Sequence, residues 1–171
     1  IGTTSLPKGF VLTYMYLTVY VTNTMSSADP EIHDKTLASV PYFHIAGATA
    51  LMSSIWGGRT LVILPAFTPE LWLQAVSTEG VTHSMVVPTM LKRIADLPDI
   101  DQRDLSSIVW IMVGSAPMPP YLMHRWAELI GAEKIVMAYG STEQLGMTAI
   151  RGDEWVAHEG TVGRPLPGTE V

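Results

Sequence analysis

Apolar and polar positions alternate along the chain in blocks whose spacing predicts a succession of strands and helices. Apolar runs of five or six residues predict buried strands at residues 36–40, 60–64, 82–87, 108–113 and 134–139. Longer segments between them predict helices at residues 10–25, 45–56, 70–78, 88–95 and 119–130. Because the two kinds of element alternate at crossover spacing, the pattern predicts an α/β fold with a largely parallel sheet flanked by helices.

Proline and glycine set several of the predicted boundaries. Pro69 opens the third helix, Gly80 is placed to cap it beyond its end, and Pro88 opens the fourth helix. After residue 146 the periodic pattern gives way to a loop rich in glycine and proline, with room for two short strands.

Composition narrows the class of protein. The chain is 47% hydrophobic and 15% charged with a mean hydropathy of +0.25, which indicates either surface covered by other parts of a larger protein or a central sheet buried on both faces. The net charge of −6 and the lack of a basic stripe argue against a nucleic-acid partner.

The chain contains no cysteine, so disulfide and thiolate chemistry are excluded, which fits a cytoplasmic protein. The apolar stretch at residues 10–21 is about half a membrane span, so we expect no membrane anchor.

Polar clusters follow three of the predicted strands where each strand ends. They are His44; Gly114, Ser115, Ala116 and Pro117; and Tyr139, Gly140, Ser141, Thr142 and Glu143. Ligands of open parallel sheets bind beyond the carboxyl ends of the strands, so these clusters are expected to converge. The sequence therefore predicts a ligand site at that edge of the sheet.

The amino-terminal cluster suits phosphate. It consists of Gly2, Thr3, Thr4, Ser5 and Lys8, which offer close backbone approach, hydroxyl donors and one ammonium group. The spacing is not that of a P-loop, and an ordinary hairpin turn is the alternative interpretation.

The other clusters also have alternatives. Glu143 is a suitable oxygen ligand for magnesium, but Ser141 and Gln144 have the spacing of a helix capping box. His44 stands in apolar company, which by itself favours a satisfied core histidine over a site residue. The remaining histidines lack the spacing of a zinc site, and no Gly-x-Ser-x-Gly segment indicates a serine hydrolase.

In this order, the segments resemble the motifs of the adenylate-forming superfamily, which comprises acyl-CoA synthetases, aryl-CoA ligases, peptide-synthetase adenylation domains and luciferases. Residues 2–9 resemble its phosphate loop, 41–44 its Pro-x-Phe-His element, 114–117 its Gly-x-Ala-Pro turn, 139–143 its Tyr-Gly-x-Thr-Glu motif and 160–165 the loop that follows. The likeness extends over essentially all of residues 1–171. Ile1 in place of serine and Ser5 in place of glycine depart from it.

The resemblance implies a two-step reaction. A carboxylate attacks the α-phosphate of ATP to give an acyl-adenylate and pyrophosphate, and the thiol of coenzyme A then displaces AMP. It further implies that Thr3, Thr4 and Lys8 hold phosphates.

The resemblance also assigns roles to the clusters that follow the strands. Thr142 would contact phosphate oxygens, and Glu143 would bind Mg²⁺. Tyr139 would pack on adenine with residues 115–117, and His44 would orient or gate the acid.

The resemblance also limits what these residues are expected to do alone. The ribose-binding aspartate, the hinge and the carboxyl-terminal domain of that superfamily have no counterpart in residues 1–171, nor does the part preceding its phosphate loop. We therefore expect an adenylation core that does not complete adenylation by itself and that requires the amino- and carboxyl-terminal parts of the same enzyme.

The substrate can be narrowed from the residues near His44. Tyr42 and Phe43 offer no anion for an α-ammonium group, and an unpaired buried ammonium is costly, so we expect a carboxylic acid without an α-amine. Some of the ten methionines are candidates to line an adaptable apolar pocket, which a fatty acid fits, while most are expected in the core. They include Met52, Met85, Met90, Met112, Met118 and Met137. An aryl acid, a bile or steroid acid (from residues 151–155) and a non-catalytic nucleotide-binding module are the alternatives.

Overall fold

The computed structural model describes residues 9, 11–29, 31–143 and 146–169. In these residues the helices are α1 (Tyr14–Thr24), α2 (Ile45–Trp56), α3 (Pro69–Glu79), α4 (Pro88–Ala95), α5 (Pro120–Ile130) and α6 (Gly152–Ala157). The strands are β1 (Lys35–Ala38), β2 (Thr60–Ile63), β3 (His83–Val86), β4 (Trp110–Val113), β5 (Ile135–Gly140), β6 (Met147–Arg151) and β7 (Arg164–Pro165).

The seven strands form one sheet in the order β2-β1-β3-β4-β5-β6-β7. The first five in chain order are parallel, whereas β6 and β7 continue the sheet antiparallel. The predicted α/β class with a largely parallel, helix-flanked sheet is confirmed. Since the order 2-1-3-4-5 reverses direction between β1 and β3, the sheet has a topological switch point there.

The two faces of the sheet are covered differently. The chain moves along the sheet in one direction from β1 to β2 and in the other direction from β2 to β3, β4 and β5. Because crossovers between parallel strands are right-handed, α2 lies on one face of the sheet, and α3, α4 and α5 lie on the opposite face. The buried core accordingly joins Trp72, Leu91 and Trp126 of α3, α4 and α5 to alternate strand residues such as Leu37 and Ile111. We call this the core face and the opposite side, next to α2, the open face.

Two tryptophans anchor the core face. Trp72 and Trp126 meet edge to face with their ring centroids 6.0 Å apart, and both are fully buried. Each indole N–H is satisfied, since Trp72 donates to Ser84 Oγ at 3.1 Å and Trp126 donates to the Leu91 carbonyl at 3.1 Å. The pair therefore joins α3 and α5 to β3 and α4 without an unpaired polar group.

The high apolar content has two structural counterparts, a buried core on one face of the sheet and exposed apolar side chains on α1. The core face buries a large cluster, while α1 presents Tyr14 and Met15 to solvent at 90% and 74% exposure. In the described ranges, no helix combines the length and the apolar character that crossing a membrane requires.

Most predicted elements are found, and the differences have local causes. The helix at 45–56, the helix at 88–95 and the left-handed cap at Gly80 (φ 65°) are confirmed. The helix α6 was not predicted, because six residues following a strand without a capping side chain give no periodic signal. Residues 141–143 lie between β5 and β6 and are not helical, so the capping-box interpretation of Ser141 is wrong for the residues described.

The buried tryptophan pair gives the first prediction. Trp126→Ala should lower the free energy of unfolding by about 3–5 kcal/mol, because it opens a cavity under α5 and removes the hydrogen bond from the indole N–H to the Leu91 carbonyl. Urea unfolding measures the loss. Tyr121→Ala on the same helix, where the side chain is 60% exposed, should change stability by no more than about 0.5 kcal/mol. Equal losses in the two variants would contradict the assigned core.

Candidate functional site

Three chain segments meet at the carboxyl edge of the parallel strands. They follow β1, β4 and β5, and they carry the clusters singled out in the sequence. The structure brings the described members of these clusters to the walls of two adjoining cavities. Gly2, Thr3, Thr4, Ser5 and Lys8 lie outside the described residues, so the role of this cluster in binding phosphate stays a prediction.

His44 is held by the start of α2. Its Nδ1 accepts a hydrogen bond from the Ala46 backbone N–H at 3.3 Å and so caps the helix. With Nδ1 acting as acceptor, a neutral ring carries its proton on Nε2 and can donate from there. The side chain is exposed and lines a cavity, so the alternative of a satisfied core histidine is wrong.

Close packing fixes the turn that carries His44. A Cβ added at Gly47 would lie 2.2 Å from the Pro41 carbonyl oxygen, so only glycine permits this approach of α2 to the turn. The same carbonyl accepts the His44 backbone N–H at 3.1 Å. The position of the imidazole is thus set by backbone contacts on both sides.

The turn after β4 carries a strained residue. Ser115 has φ 69°, the left-handed region, and it is the one non-glycine residue with positive φ in the described ranges. Such a conformation costs a serine about 1–3 kcal/mol and is retained where the surroundings determine it. Ser115, Ala116 and Pro117 are exposed, whereas Met118 is buried and anchors the turn from below.

The first cavity has a volume of about 330 Å³ and lies beside this turn. Its lining residues are Ser115, Ala116, Pro117, Met118, Met137, Ala138, Tyr139, Gly140, Trp155, Gly160, Thr161 and Val162. Tyr139 is 63% exposed, so its ring is available for stacking on a flat ligand. Small residues and backbone form the facing wall, which suits a planar heterocycle.

The second cavity, of about 370 Å³, adjoins the first and shares Ser115, Ala138 and Gly140 with it. Its polar wall consists of His44, Gly114, Ser115, Gly140, Ser141, Thr142 and Glu143. Its apolar wall consists of Ile45, Ala46, Met85, Met112, Ala138 and Met147, with Tyr20 and Thr49 beside them. The arrangement places one carboxylate and several hydroxyls next to an apolar pocket.

Sequence reasoning missed a third cavity, of about 280 Å³, on the open face of the sheet. Tyr20, Met85 and Met112 line both this cavity and the second one, so the two cavities adjoin. At its far end lie Thr36, Arg59, His83 and Trp110, from the beginnings of four strands or the residues just before them. No sequence signal marks these residues. They come together only because the parallel strands pair in this register and because their side chains point to the same face of the sheet.

Several polar and aromatic side chains surround the buried His83. Its Nδ1 is 2.6 Å from Thr82 Oγ1 and 3.8 Å from Asp34 Oδ1, and its ring meets Trp110 edge to face at 4.7 Å. Arg59 lies over the same indole at 5.6 Å, and its Nε is 3.8 Å from Asp34 Oδ2. Burial, together with the positive charge of Arg59, lowers the pKa of His83 from 6.5 to about 4, against the opposing effect of Asp34. The imidazole is therefore neutral at pH 7.

The donor set at the carboxyl edge fits a magnesium ion that arrives with a phosphate ligand. Mg²⁺ is usually held by one or two carboxylates together with substrate phosphates and water. Glu143 and the Thr142 hydroxyl line the second cavity. No group of three or more metal-ligating His, Asp or Glu side chains occurs in the part of the chain that the structure describes, which is too few for a protein-only cage there.

Comparison with known proteins places the site in context. A family model described as "AMP-binding enzyme" matches residues 2–171. The chain is 33% identical over 99% of its length to a putative acyl-CoA synthetase of Bacillus subtilis and covers 32% of that protein. It is 35% identical over 99% of its length to a feruloyl-CoA synthase of Amycolatopsis sp and covers 35% of it. The chain thus spans about a third of the length of these relatives.

Solved structures share the fold. The N-terminal domain of FACL13 from Mycobacterium tuberculosis superposes with a TM-score of 0.84 at 28% identity, covering 96% of this chain and 42% of that one. An o-succinylbenzoate coenzyme A synthetase from Bacillus subtilis, in complex with ATP and magnesium ion, has a TM-score of 0.79 at 27% identity, covering 97% of this chain and 34% of that one.

Two glycines of the loop at residues 160–163 provide a matched test of the first cavity. Both have positive φ (86° at Gly163, 87° at Gly160), but a Cβ would lie 2.2 Å from the Ala149 carbonyl oxygen at Gly163 and would meet nothing within 4 Å at Gly160. Gly163→Ala should therefore cost about 1–3 kcal/mol more than Gly160→Ala, measured by urea unfolding. Equal effects in both variants would show that the close approach to β6 has no energetic weight.

The lowered pKa of His83 predicts a pH dependence. Between pH 6.5 and about 4 the unfolded chain binds a proton at this side chain and the folded chain does not. Stability should consequently fall by roughly 2–3 kcal/mol as pH drops through this window, with no contribution from His83 to the slope above it.

Unfolding of wild type and His83→Gln across pH 4 to 7.5 measures the contribution. The variant should have the shallower slope, and the same change at exposed His158 tests whether loss of any histidine has this effect. Identical slopes in wild type and His83→Gln would contradict the prediction.

Proposed function

Because the chain belongs to the family of AMP-binding enzymes, we propose that it forms the nucleotide- and acid-binding core of an ATP-dependent acid–thiol ligase. One observation carries the proposal. The segments after β1, β4 and β5, which are distant in sequence, line two adjoining cavities at the edge where such sheets bind ligands. The first suits a planar base, and the second combines phosphate-binding groups with an apolar pocket.

The proposed reaction has two steps. A carboxylate oxygen of the acid attacks the α-phosphorus of ATP, the bond to the β-phosphate oxygen breaks, and pyrophosphate leaves. The sulfur of coenzyme A then attacks the acyl carbon of the adenylate, and AMP leaves with the electrons of the acyl–oxygen bond. Little covalent chemistry falls to the protein, so catalysis rests on positioning and on neutralising negative charge.

The described residues divide this task between the two cavities. Tyr139 and the strained turn at Ser115 would hold the adenine ring in the first cavity. In the second, the Thr142 hydroxyl would donate to phosphate, and His44 Nε2–H would donate to the carboxylate of the acid. Both steps then occur beside Gly140, which the two cavities share.

Glu143 is the residue proposed to hold Mg²⁺. The ion, when bound, would neutralise phosphate charge and so make approach of a second anion, the substrate carboxylate, less unfavourable. Thr3, Thr4 and Lys8 are proposed to contact the same phosphates from the amino-terminal cluster.

The substrate is proposed to be a carboxylic acid without an α-amine. Among the described residues that line the second and third cavities, Glu143 is the only carboxylate, and it is assigned to the metal. The pocket beyond His44 is walled by Ile45, Met85 and Met112, which suits a fatty acyl chain. Relatives include a long-chain-fatty-acid–CoA ligase, a feruloyl-CoA synthase and a 2-succinylbenzoate–CoA ligase, so an aryl acid is the second candidate.

ATP–pyrophosphate exchange by the complete gene product that contains this chain tests the proposal. Exchange should depend on an added carboxylic acid, and a panel of fatty and aryl acids separates the two candidates. Glu143→Gln should lower exchange by roughly 100-fold or more, because a neutral amide is a poor ligand for Mg²⁺.

Glu79→Gln is the matched control. Glu79 is exposed at the end of α3, at the opposite edge of the sheet, and the same change of charge there should leave exchange within about twofold. Mg²⁺-dependent ATP binding that is unaffected by both Glu143→Gln and Lys8→Ala would instead favour a non-catalytic nucleotide-binding module.

A further inference from the structure

Tyr20 on α1 lies where three cavities adjoin. It lines the second cavity together with His44, the third cavity on the open face, and a fourth of about 440 Å³ between α1 and residues 166–169. Among the described residues it is the one that lines all three. The side chain therefore bounds the acid pocket on the side that α1 covers.

The helical spacing of α1 turns this tyrosine inward. The residues of α1 that are buried or half-buried have the i, i+3, i+4, i+7 spacing of one helix face, and they are Leu17, Tyr20, Val21 and Thr24. Burial raises the pKa of the Tyr20 phenol above its usual value, as expected when an ionisable group is withdrawn from water. The two other tyrosines of the helix, Tyr14 and Tyr16, are 90% and 50% exposed.

Two methionines complete the boundary between the second and third cavities. Met85 of β3 and Met112 of β4 are register partners on adjacent parallel strands, and both line the two cavities. The sheet supplies this pair from one side, and α1 supplies Tyr20 from the other. Because these three are the residues that the two cavities have in common, we call them the partition.

The space beyond the partition is compatible with an apolar chain. The third cavity has a volume of about 280 Å³, and Ala50, Val136 and Leu166 are among its lining residues. Two of its hydroxyls are already satisfied within their own helices, since Thr24 donates to the Tyr20 carbonyl and Ser54 to the Ala50 carbonyl, each at 2.7 Å. A hydrocarbon chain placed there would not deprive these hydroxyls of a partner.

We propose that Tyr20 is a specificity-determining residue that limits the length of the acid substrate. With its carboxylate beside His44, the acid extends past Ile45 toward the partition, where the phenol ring stops it. Removal of the ring joins the second and third cavities and admits a longer chain. This inference rests on the proposed function, since it needs an acid held beside His44.

The experiment measures acid-dependent ATP–pyrophosphate exchange by the complete gene product over a homologous series of straight-chain acids. In wild type, kcat/KM should rise with chain length up to a limit and fall beyond it. Tyr20→Ala should move this limit to longer acids. For an acid two methylenes beyond the wild-type limit, the ratio of its kcat/KM to that of a short acid should rise roughly tenfold, mainly through KM.

Three further variants separate the ring from other properties of Tyr20. Tyr20→Phe keeps the ring without its hydroxyl and should keep the wild-type limit. Tyr14→Ala makes the same truncation at an exposed position of α1 and should also keep it. Ala50→Leu narrows the third cavity from α2, so it should not change the limit by itself but should cancel the gain when combined with Tyr20→Ala.

Each outcome has one consequence. Exchange with none of the acids overturns the proposed function. Exchange with an unchanged limit in Tyr20→Ala, or with an equal loss at every chain length, overturns this inference and leaves the function standing. A shift of the limit in Tyr20→Phe overturns the role of the ring, and a gain that Ala50→Leu does not cancel overturns the third cavity as the space that the longer chain enters.

A milder truncation keeps the test decisive if urea unfolding shows that Tyr20→Ala does not fold. Tyr20→Leu retains an apolar side chain on the inward face of α1 but removes the ring. It should move the limit in the same direction, and an unchanged limit in this variant overturns the inference equally.

Discussion

The handedness of the strand connections is the constraint from which the rest of this structure follows. Because the chain moves from β1 to β2 in one direction and then returns past β1 to β3, β4 and β5, α2 must lie on one face and α3, α4 and α5 on the other. The core face is packed by these three helices together with Trp155 of α6. On the opposite face α2 is the one crossover helix, and the third cavity lies between the sheet, α2 and the segment that carries Tyr20, Thr24 and Met25.

This division separates the source of stability from the source of function. On the core face, tryptophans and branched aliphatic residues pack together, and the indole N–H groups of Trp72 and Trp126 are hydrogen-bonded. On the open face, the same strands present Met85 and Met112 to a cavity, and Thr36 is left without a partner. Because side chains alternate along a strand, each strand contributes to both faces, and a change in register by one residue would exchange the two.

The sequence allowed much of the fold to be predicted, for reasons that can be traced to particular residues. Pro88 and Gly80 are strong local signals, so α4 and the end of α3 were predicted correctly. The clusters at Ser115 and Tyr139 were recognisable because site residues follow strands, and the structure places them on the same cavity. His83 and Arg59 gave no signal, since only the pairing of β1 with β2 and β3 brings them together. The roles of Gly2 to Lys8 stay predictions.

The strained backbone of Ser115 raises the question of why a folded chain retains a conformation that weakens it. A serine in the left-handed region costs about 1–3 kcal/mol. Local strain persists where binding, rather than folding, determines the residue. Ser115 lines both the first and the second cavity, so its strain lies at the site to which we assign the ligand.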